Sequence, residues 1–198
     1  MKKTLSVICI LASAILFLTS AEAVPITYIA NLSGPSEIPP NASPGTGYAL
    51  VEIDTDAHTL NVNAEFSGLT GTTTASHIHA ATDPPGVGTA SIATQTPSFT
   101  GFPLGVTAGL FNNTFDLTDA ASWRAGYITD HGGTPATAEA ALLEALAEGR
   151  AYFNIHTSTF PGGEIRGFLT PVPEPSTMLL LGSGLVGLVG YGRRRFKK

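Results

Sequence analysis

The chain has 198 residues, a single cysteine and a formal net charge of −5, from 10 basic and 15 acidic side chains. Residues 24–172 hold 13 of the acidic side chains but only 3 basic ones, a net charge of −10 that repels phosphate backbones and argues against a nucleic-acid partner. Because Cys9 precedes this segment, the segment contains neither a disulfide nor a cysteine metal ligand.

The first 23 residues have the pattern of a secretory signal peptide. Two lysines precede an apolar stretch over residues 5–18, and the Ala-Glu-Ala sequence at 21–23 forms an A-x-A cleavage site. The apolar stretch is short for a permanent anchor, which needs about 20 apolar residues. We therefore predict that residues 1–23 are removed on export and that the mature chain begins at Val24.

Short runs of alternating apolar and polar residues predict β-strands through the central part of the chain. The clearest pair flanks the turn-forming sequence DTDAH and predicts a β-hairpin over residues 46–67, with His58 exposed in the turn. Two consecutive prolines stop strand pairing, so Glu37-Ile38-Pro39-Pro40 is predicted to be a rigid loop. Further strands are predicted at 25–32, 74–80, 88–94, 105–117, 150–157 and 164–170.

One segment has the composition of a helix. Thr137 is a candidate N-cap, Gly149 a stop signal, and Leu142, Leu143 and Leu146 form an apolar stripe between them. These features predict a helix over residues 137–148. Many short strands, glycine- and proline-rich turns and no regular alternation of strands with helices then predict an all-β, antiparallel β-sandwich with one short inserted helix.

Three of the five histidines form a candidate metal site. His77 and His79 are two apart on a predicted strand, so their side chains share one face and Ile78 faces the core. We expect the pair at the surface or rim of the sandwich, with His156 from the strand YFNIHT approaching it. Three imidazoles from two strands suit copper or zinc.

The same histidines have a structural interpretation, as a hydrogen-bonded polar cluster that orders the strand ends. In the metal interpretation, Glu164 or Arg166 on the neighbouring strand would orient one imidazole from the second coordination shell. No catalytic residue is predicted, because the chain lacks a G-x-S-x-G elbow, a P-loop, an H-E-x-x-H motif and an EF-hand pattern.

Five motifs occur in an order that resembles the CHRD domain, a family named after chordin: LSGPSEIPPNASPGTG, FSGLTG, ASHIHAA, AYFNIHT and FPGGEIRGFL. The resemblance runs from about Ile26 to Thr170 and gives a domain over residues 24–171. It implies an immunoglobulin-like, all-β fold. It implies no activity.

The histidine pattern also resembles copper/zinc superoxide dismutase, a β-sandwich with an H-x-H strand and a later histidine. The segment DHGGTP at 130–135 is similar to the zinc loop of that enzyme, and Arg166 to an anion-guiding arginine. Several features depart from the resemblance: no bridging histidine lies between His79 and His131, the zinc ligands are incomplete, and a disulfide is lacking. These departures argue against dismutase activity.

The C-terminal segment has three parts in order. A Pro-Glu-Pro triplet at residues 173–175 precedes an apolar run over 178–191 and a basic tail over 193–198. The run is short and glycine-rich for a stable membrane-spanning helix. Residues 172–198 resemble the PEP-CTERM sorting signal. The resemblance implies transient anchoring of a hydrophobic C-terminal helix in the inner membrane of a Gram-negative bacterium, cleavage near Pro173, Glu174 and Pro175 by an exosortase, and transfer to the cell surface or its exopolysaccharide matrix.

Three functions are consistent with these patterns. The first is a non-enzymatic surface module that binds exopolysaccharide or other surface proteins. The second is an extracytoplasmic copper or zinc protein that uses His77, His79 and His156. The third is a redox metalloenzyme similar to the dismutase. Metal analysis separates the first function from the other two.

Overall fold

A computed structural model describes residues 25–173 and residue 183 of the chain. The predicted signal peptide, Glu174 and Pro175 of the sorting motif, and the apolar run with its basic tail therefore lie outside the described residues, apart from Ser183. Within residues 25–173, no helix is both long enough and apolar enough to cross a bilayer.

The described chain is mostly β-structure, with eight strands and two short α-helices. The strands are β1 (Ile26–Ser33), β2 (Thr46–Asp54), β3 (Thr59–Ser67), β4 (Thr73–His79), β5 (Gly109–Asp116), β6 (Tyr152–Thr157), β7 (Ile165–Phe168) and β8 (Thr170–Pro171). The helices α1 (Ala125–Asp130) and α2 (Pro135–Ala147) lie between β5 and β6, and single 3-10 turns occur at Gly34–Ser36 and Ala120–Ser122.

The strands form one antiparallel sheet in the order β4-β6-β7-β1-β2-β3-β5, with β8 paired to the first part of β1. This open sheet curls around a single core. Phe99 shows the curl, because its ring lies 6.1 Å from that of Phe153 on β6 and 5.1 Å from that of Phe115 on β5, near opposite ends of the strand order. The predicted antiparallel, mostly-β fold is confirmed, whereas an immunoglobulin-like arrangement of two facing sheets is not.

The predicted hairpin over residues 46–67 is confirmed, and its alternation explains why. Val51 pairs with Val62 and Ile53 with Leu60 across the two strands, and all four side chains are buried. Period-two alternation places such residues on one face, where each pair removes apolar surface from water.

The structure differs from the prediction in two places. Residues 88–94 form no strand, because only single bridges join Ile92 to His79 and Thr94 to Trp123. A second helix, α1, was not predicted. It is six residues long and contains Gly126, so it has little intrinsic propensity and depends on packing of its buried Tyr127 against Trp123.

The predicted inserted helix is present as α2, with a different start. Thr134, not Thr137, is the N-cap, and Pro135 occupies the first helical position. Thr137 completes a capping box with Thr134. Leu142 and Leu146 are buried as predicted, whereas Leu143 is only partly buried.

Candidate metal centre

The pairing of β4 with β6 brings the three predicted histidines onto one face of the sheet. His77 pairs with Asn154, and Ala75 pairs with His156, so His156 lies on the same face as His77 and His79. Ile78 faces the opposite side and is fully buried in the core, as predicted. Local alternation and a single strand pairing therefore assemble the cluster.

The three imidazoles are close enough to share an ion. The ring of His77 lies 5.7 Å from that of His79 and 5.2 Å from that of His156, between centroids. One ring nitrogen from each residue lies within 4.8 Å of the other two. Three nitrogens bonded to one ion at about 2.0 to 2.1 Å lie roughly 3.3 to 3.6 Å from one another, so the three rings move closer together when they share an ion.

Backbone carbonyls orient all three rings. His77 Nε2 lies 2.8 Å from the carbonyl oxygen of Pro97. The Nδ1 atoms of His79 and His156 lie 2.9 Å from the carbonyl oxygens of Ala90 and Pro161. Because a carbonyl only accepts, each of these ring nitrogens donates its proton, and the tautomer of each neutral ring is fixed.

The other nitrogen of each ring is left without a proton and without a partner. His77 Nδ1, His79 Nε2 and His156 Nε2 are buried and accept no hydrogen bond from the described residues. A buried acceptor that lacks a partner costs about 1 to 3 kcal/mol. Three such acceptors therefore belong to rings whose centroids lie at most 6.0 Å apart.

The cluster is more buried than the sequence indicated. His77 is 3% exposed and His79 is 8% exposed, so the predicted position at the surface or rim is wrong for this pair. The segment after β4, which carries Ala90 and Pro97, folds back over the face that alternation alone would leave open. His156 is only partly exposed.

Burial also keeps the rings neutral. It is the main cause that lowers the pKa of His77 and of His79 to about 4, although the hydrogen bonds to the carbonyls of Pro97 and Ala90 oppose this shift. Burial lowers the pKa of His156 as well. At neutral pH all three imidazoles are neutral, each with one proton and one free lone pair, which is the form that binds a metal ion.

Glu164, one of the two predicted orienting residues, bonds elsewhere. Its carboxylate accepts hydrogen bonds from the hydroxyls of Ser43 and Thr157 and from the backbone amides of Thr70 and Gly71. Burial alone would raise the pKa of Glu164, but these four donors hold it below its ordinary value. These four hydrogen bonds connect the β2–β3 hairpin to the ends of β6 and β7, beside the histidines.

Arg166, the other predicted orienting residue, lies against Tyr152. Its guanidinium carbon lies 4.6 Å from the centre of the Tyr152 ring, which stacks on His79 at 4.8 Å. Arg166 also donates to the carbonyl oxygens of Ser36 at 2.6 Å and Gly88 at 3.0 Å. It therefore fastens two covering loops beside the histidines.

Sequence reasoning assigned Glu37 only to a rigid loop and missed its contacts. Glu37 is 5% exposed, its Oε2 lies 3.8 Å from Arg166 Nε, and Asn154 Nδ2 donates to its Oε1 at 2.6 Å. Burial raises the pKa of Glu37 to about 7, and the charge of Arg166 opposes this shift. The sequence did contain a signal for this contact. Residues 24–172 have only three basic residues, all arginines, so a buried carboxylate in this domain has few possible partners.

The remaining two histidines lie outside the cluster. His58 is in the hairpin turn, as predicted, and its Nδ1 lies 2.9 Å from Glu139 Oε2 on α2. His131 ends α1, and its Nδ1 lies 2.8 Å from the carbonyl oxygen of Tyr127. The segment DHGGTP that resembles a zinc loop is the connection between the two helices.

Comparison with known proteins adds the family. The CHRD domain model matches residues 28–169, and the model of the PEP-CTERM protein-sorting motif matches residues 171–195. No curated protein and no solved structure matches the chain. The sorting motif implies export, processing by an exosortase and sorting to the surface in a Gram-negative bacterium. The chain therefore belongs to the CHRD domain family and carries a PEP-CTERM sorting motif behind that domain.

Proposed function

We propose that this exported protein binds one copper or zinc ion through His77, His79 and His156. One observation carries the proposal: three neighbouring rings each have one unprotonated, buried and unpartnered nitrogen, and one nitrogen of each ring lies within 4.8 Å of the others. Imidazole nitrogen is a good ligand for both metals. Ligand histidines commonly donate their other ring proton to a backbone carbonyl, as all three do here.

The alternative, a hydrogen-bonded polar cluster, is less consistent with these contacts. Such a cluster would place a donor opposite each acceptor, because buried polar groups are stable only when paired. Here every ring proton is used on a backbone carbonyl, so no ring has a donor to offer its neighbours. An ion at the centre would supply the missing partner to all three nitrogens.

Sorting to the surface defines where such a site would work. Cleavage near residues 173–176 would release the domain from the inner membrane and pass it to the cell surface or the exopolysaccharide matrix. The protein would then bind metal outside the cell, either as a carrier or to stabilise a domain that attaches to exopolysaccharide or other surface proteins. Neither role requires catalysis.

Thermal unfolding of the exported protein with and without metal tests the proposal. A ligand present at a hundred times its Kd stabilises the folded state by about 2.7 kcal/mol, which corresponds to a rise in Tm of roughly 5 to 11 °C for a domain of this size. We expect copper or zinc to produce this rise, with one ion bound per chain by elemental analysis.

Variants assign the effect to the cluster. His156→Gln should abolish the rise in Tm, whereas His131→Gln, a matched change outside the cluster, should preserve it. Equal rises in wild type and His156→Gln would place the ion elsewhere, and no rise in wild type would leave the histidines a structural role.

A further inference from the structure

The donor set of the three-histidine centre carries no charge. All three ligands are neutral imidazoles, and the groups that orient them are neutral backbone carbonyls. Among the residues that the structure describes, no carboxylate or thiolate joins the group. A bound ion would therefore keep its full charge in a buried position.

Because no ligand charge compensates the charge of the ion, burial in this centre costs more free energy for a divalent ion than for a univalent one. The cost of moving an ion from water into a medium of low dielectric constant grows with the square of its charge, so it is about four times larger for a dication. His77 and His79 are almost completely buried, so water does little to reduce this cost.

The positive charge of Arg166 also disfavours a divalent ion. Arg166 lies against Tyr152, and Tyr152 stacks on His79, so one aromatic ring separates the guanidinium from the cluster. Glu37 pairs with Arg166, but burial raises the pKa of Glu37 to about 7, so the pair keeps part of its positive charge near neutral pH. Coulomb repulsion from this charge is twice as large for a dication.

The number of donors also distinguishes the candidate ions. Zinc in structural sites is almost always four-coordinate, and a zinc ion held by three protein ligands takes water as its fourth. Here the described ligands number three, and two of them are almost completely buried, so a fourth ligand from water is disfavoured. Asn154, opposite His77 in the strand register, has a buried Oδ1 without a partner, but an amide oxygen is a hard donor and adds no charge. Univalent copper forms stable three-coordinate complexes with neutral nitrogen donors.

From this donor set, its burial and the adjacent guanidinium, we infer that the centre selects Cu(I) over Zn(II). The inference rests on the proposed function, because it specifies the ion that the same three histidines hold. The chemistry required is simple: a univalent copper ion exchanges its solvent or carrier ligands for three imidazole nitrogens. No electron and no proton is transferred, since each ring already carries its proton on the nitrogen that faces a carbonyl.

Competition titrations test the inference on the full-length chain in detergent, with Cys9→Ser to remove the only thiol. Under anaerobic conditions, Cu(I) is partitioned between the protein and a chromogenic Cu(I) chelator, and Zn(II) between the protein and a chromogenic zinc chelator. We expect the Kd for Cu(I) to be lower than that for Zn(II) by about a hundredfold or more. His77→Gln and His156→Gln should each lose Cu(I) binding, and His131→Gln should retain it.

X-ray absorption spectroscopy of the Cu(I) complex needs no variant and should show three nitrogen neighbours with imidazole scattering. Zn(II) bound as tightly as Cu(I), in a manner sensitive to His156→Gln, would overturn the selectivity and leave the metal site intact. Four-coordinate Cu(I) would overturn the three-imidazole donor set on which the inference rests. Binding of neither ion would overturn the proposed function itself.

Discussion

Replacing Arg166 with methionine tests how the loops beside the histidines are held. The guanidinium is 2% exposed, donates to the carbonyls of Ser36 and Gly88, and lies 3.8 Å from the Glu37 carboxylate. Methionine retains much of the volume but leaves the carboxyl group buried without a cation. Removing one partner of a buried ion pair costs about 3 to 5 kcal/mol. For a domain of about 150 residues this lowers Tm by roughly 6 to 20 °C.

The destabilisation by Arg166→Met should grow with pH. The pKa of Glu37 is about 7 in the folded protein, above its ordinary value of 4.5. The stability that comes from protonated Glu37 is therefore fully present below about pH 4.5 and is lost as the pH rises through about 7. Arg166 opposes this upward shift, so its removal raises the pKa further. We expect a small loss at pH 5, where Glu37 is mostly protonated in both proteins, and the full loss at pH 8.

Urea unfolding in the presence of a metal chelator measures this effect. Wild type, Arg166→Met, Glu37→Gln and the double variant form a cycle that isolates the interaction between the two side chains. Glu37→Gln should restore part of the stability of Arg166→Met at pH 8, because no charge then remains buried. A loss that is equal at pH 5 and pH 8, and that Glu37→Gln does not reduce, would refute the ion pair as the cause.

Three further predictions concern sorting and stability. Mass spectrometry of the surface or secreted fraction should find chains that lack residues 193–198; an intact C-terminus on protein outside the inner membrane would contradict exosortase cleavage. Leu142→Ala, at a buried position of α2, should cost about 2 to 5 kcal/mol in urea unfolding, whereas Leu143→Ala, at a partly buried one, should cost less. Equal losses would show that the helix packs by another face. Thr134→Ala should lower the free energy of unfolding by about 1 kcal/mol through loss of the N-cap, and Thr134→Ser should leave it almost unchanged. Unchanged stability of Thr134→Ala would assign the cap to another residue.

The common face of the first two histidines could be predicted because it depends on a local rule. His77 and His79 are two positions apart on a strand, and the apolar residue between them identifies the core face. Antiparallel pairing of β4 with β6 then adds His156. That approach was expected from the CHRD resemblance of the motifs ASHIHAA and AYFNIHT, which share an Ile-His ending, and not from a local rule. The hairpin of β2 and β3 was predictable from local rules, since its alternation and its turn lie within one short segment.

The burial of the cluster could not be predicted, because the covering segment has no periodic pattern. Residues 80–108 are joined to β4 mainly by isolated contacts, and it is their backbone, at Ala90 and Pro97, that bonds to the imidazoles. Every residue has a backbone carbonyl, so the sequence does not indicate which carbonyls bond to the rings. The prediction therefore named only side chains as orienting groups. Helix α1 was missed for a related reason: tertiary packing of Tyr127 supports it rather than helix propensity.

The distance in sequence between the ligands has a consequence for where the ion is acquired. An unfolded chain offers only the pair His77 and His79, since His156 joins them when β6 pairs with β4. If the centre binds metal as proposed, metal binding and completion of the sheet are coupled events. A chain that crosses the membrane unfolded would carry no ion in this centre and would take its metal from the compartment in which the sheet closes. The place of folding would then limit the ions from which the centre can select.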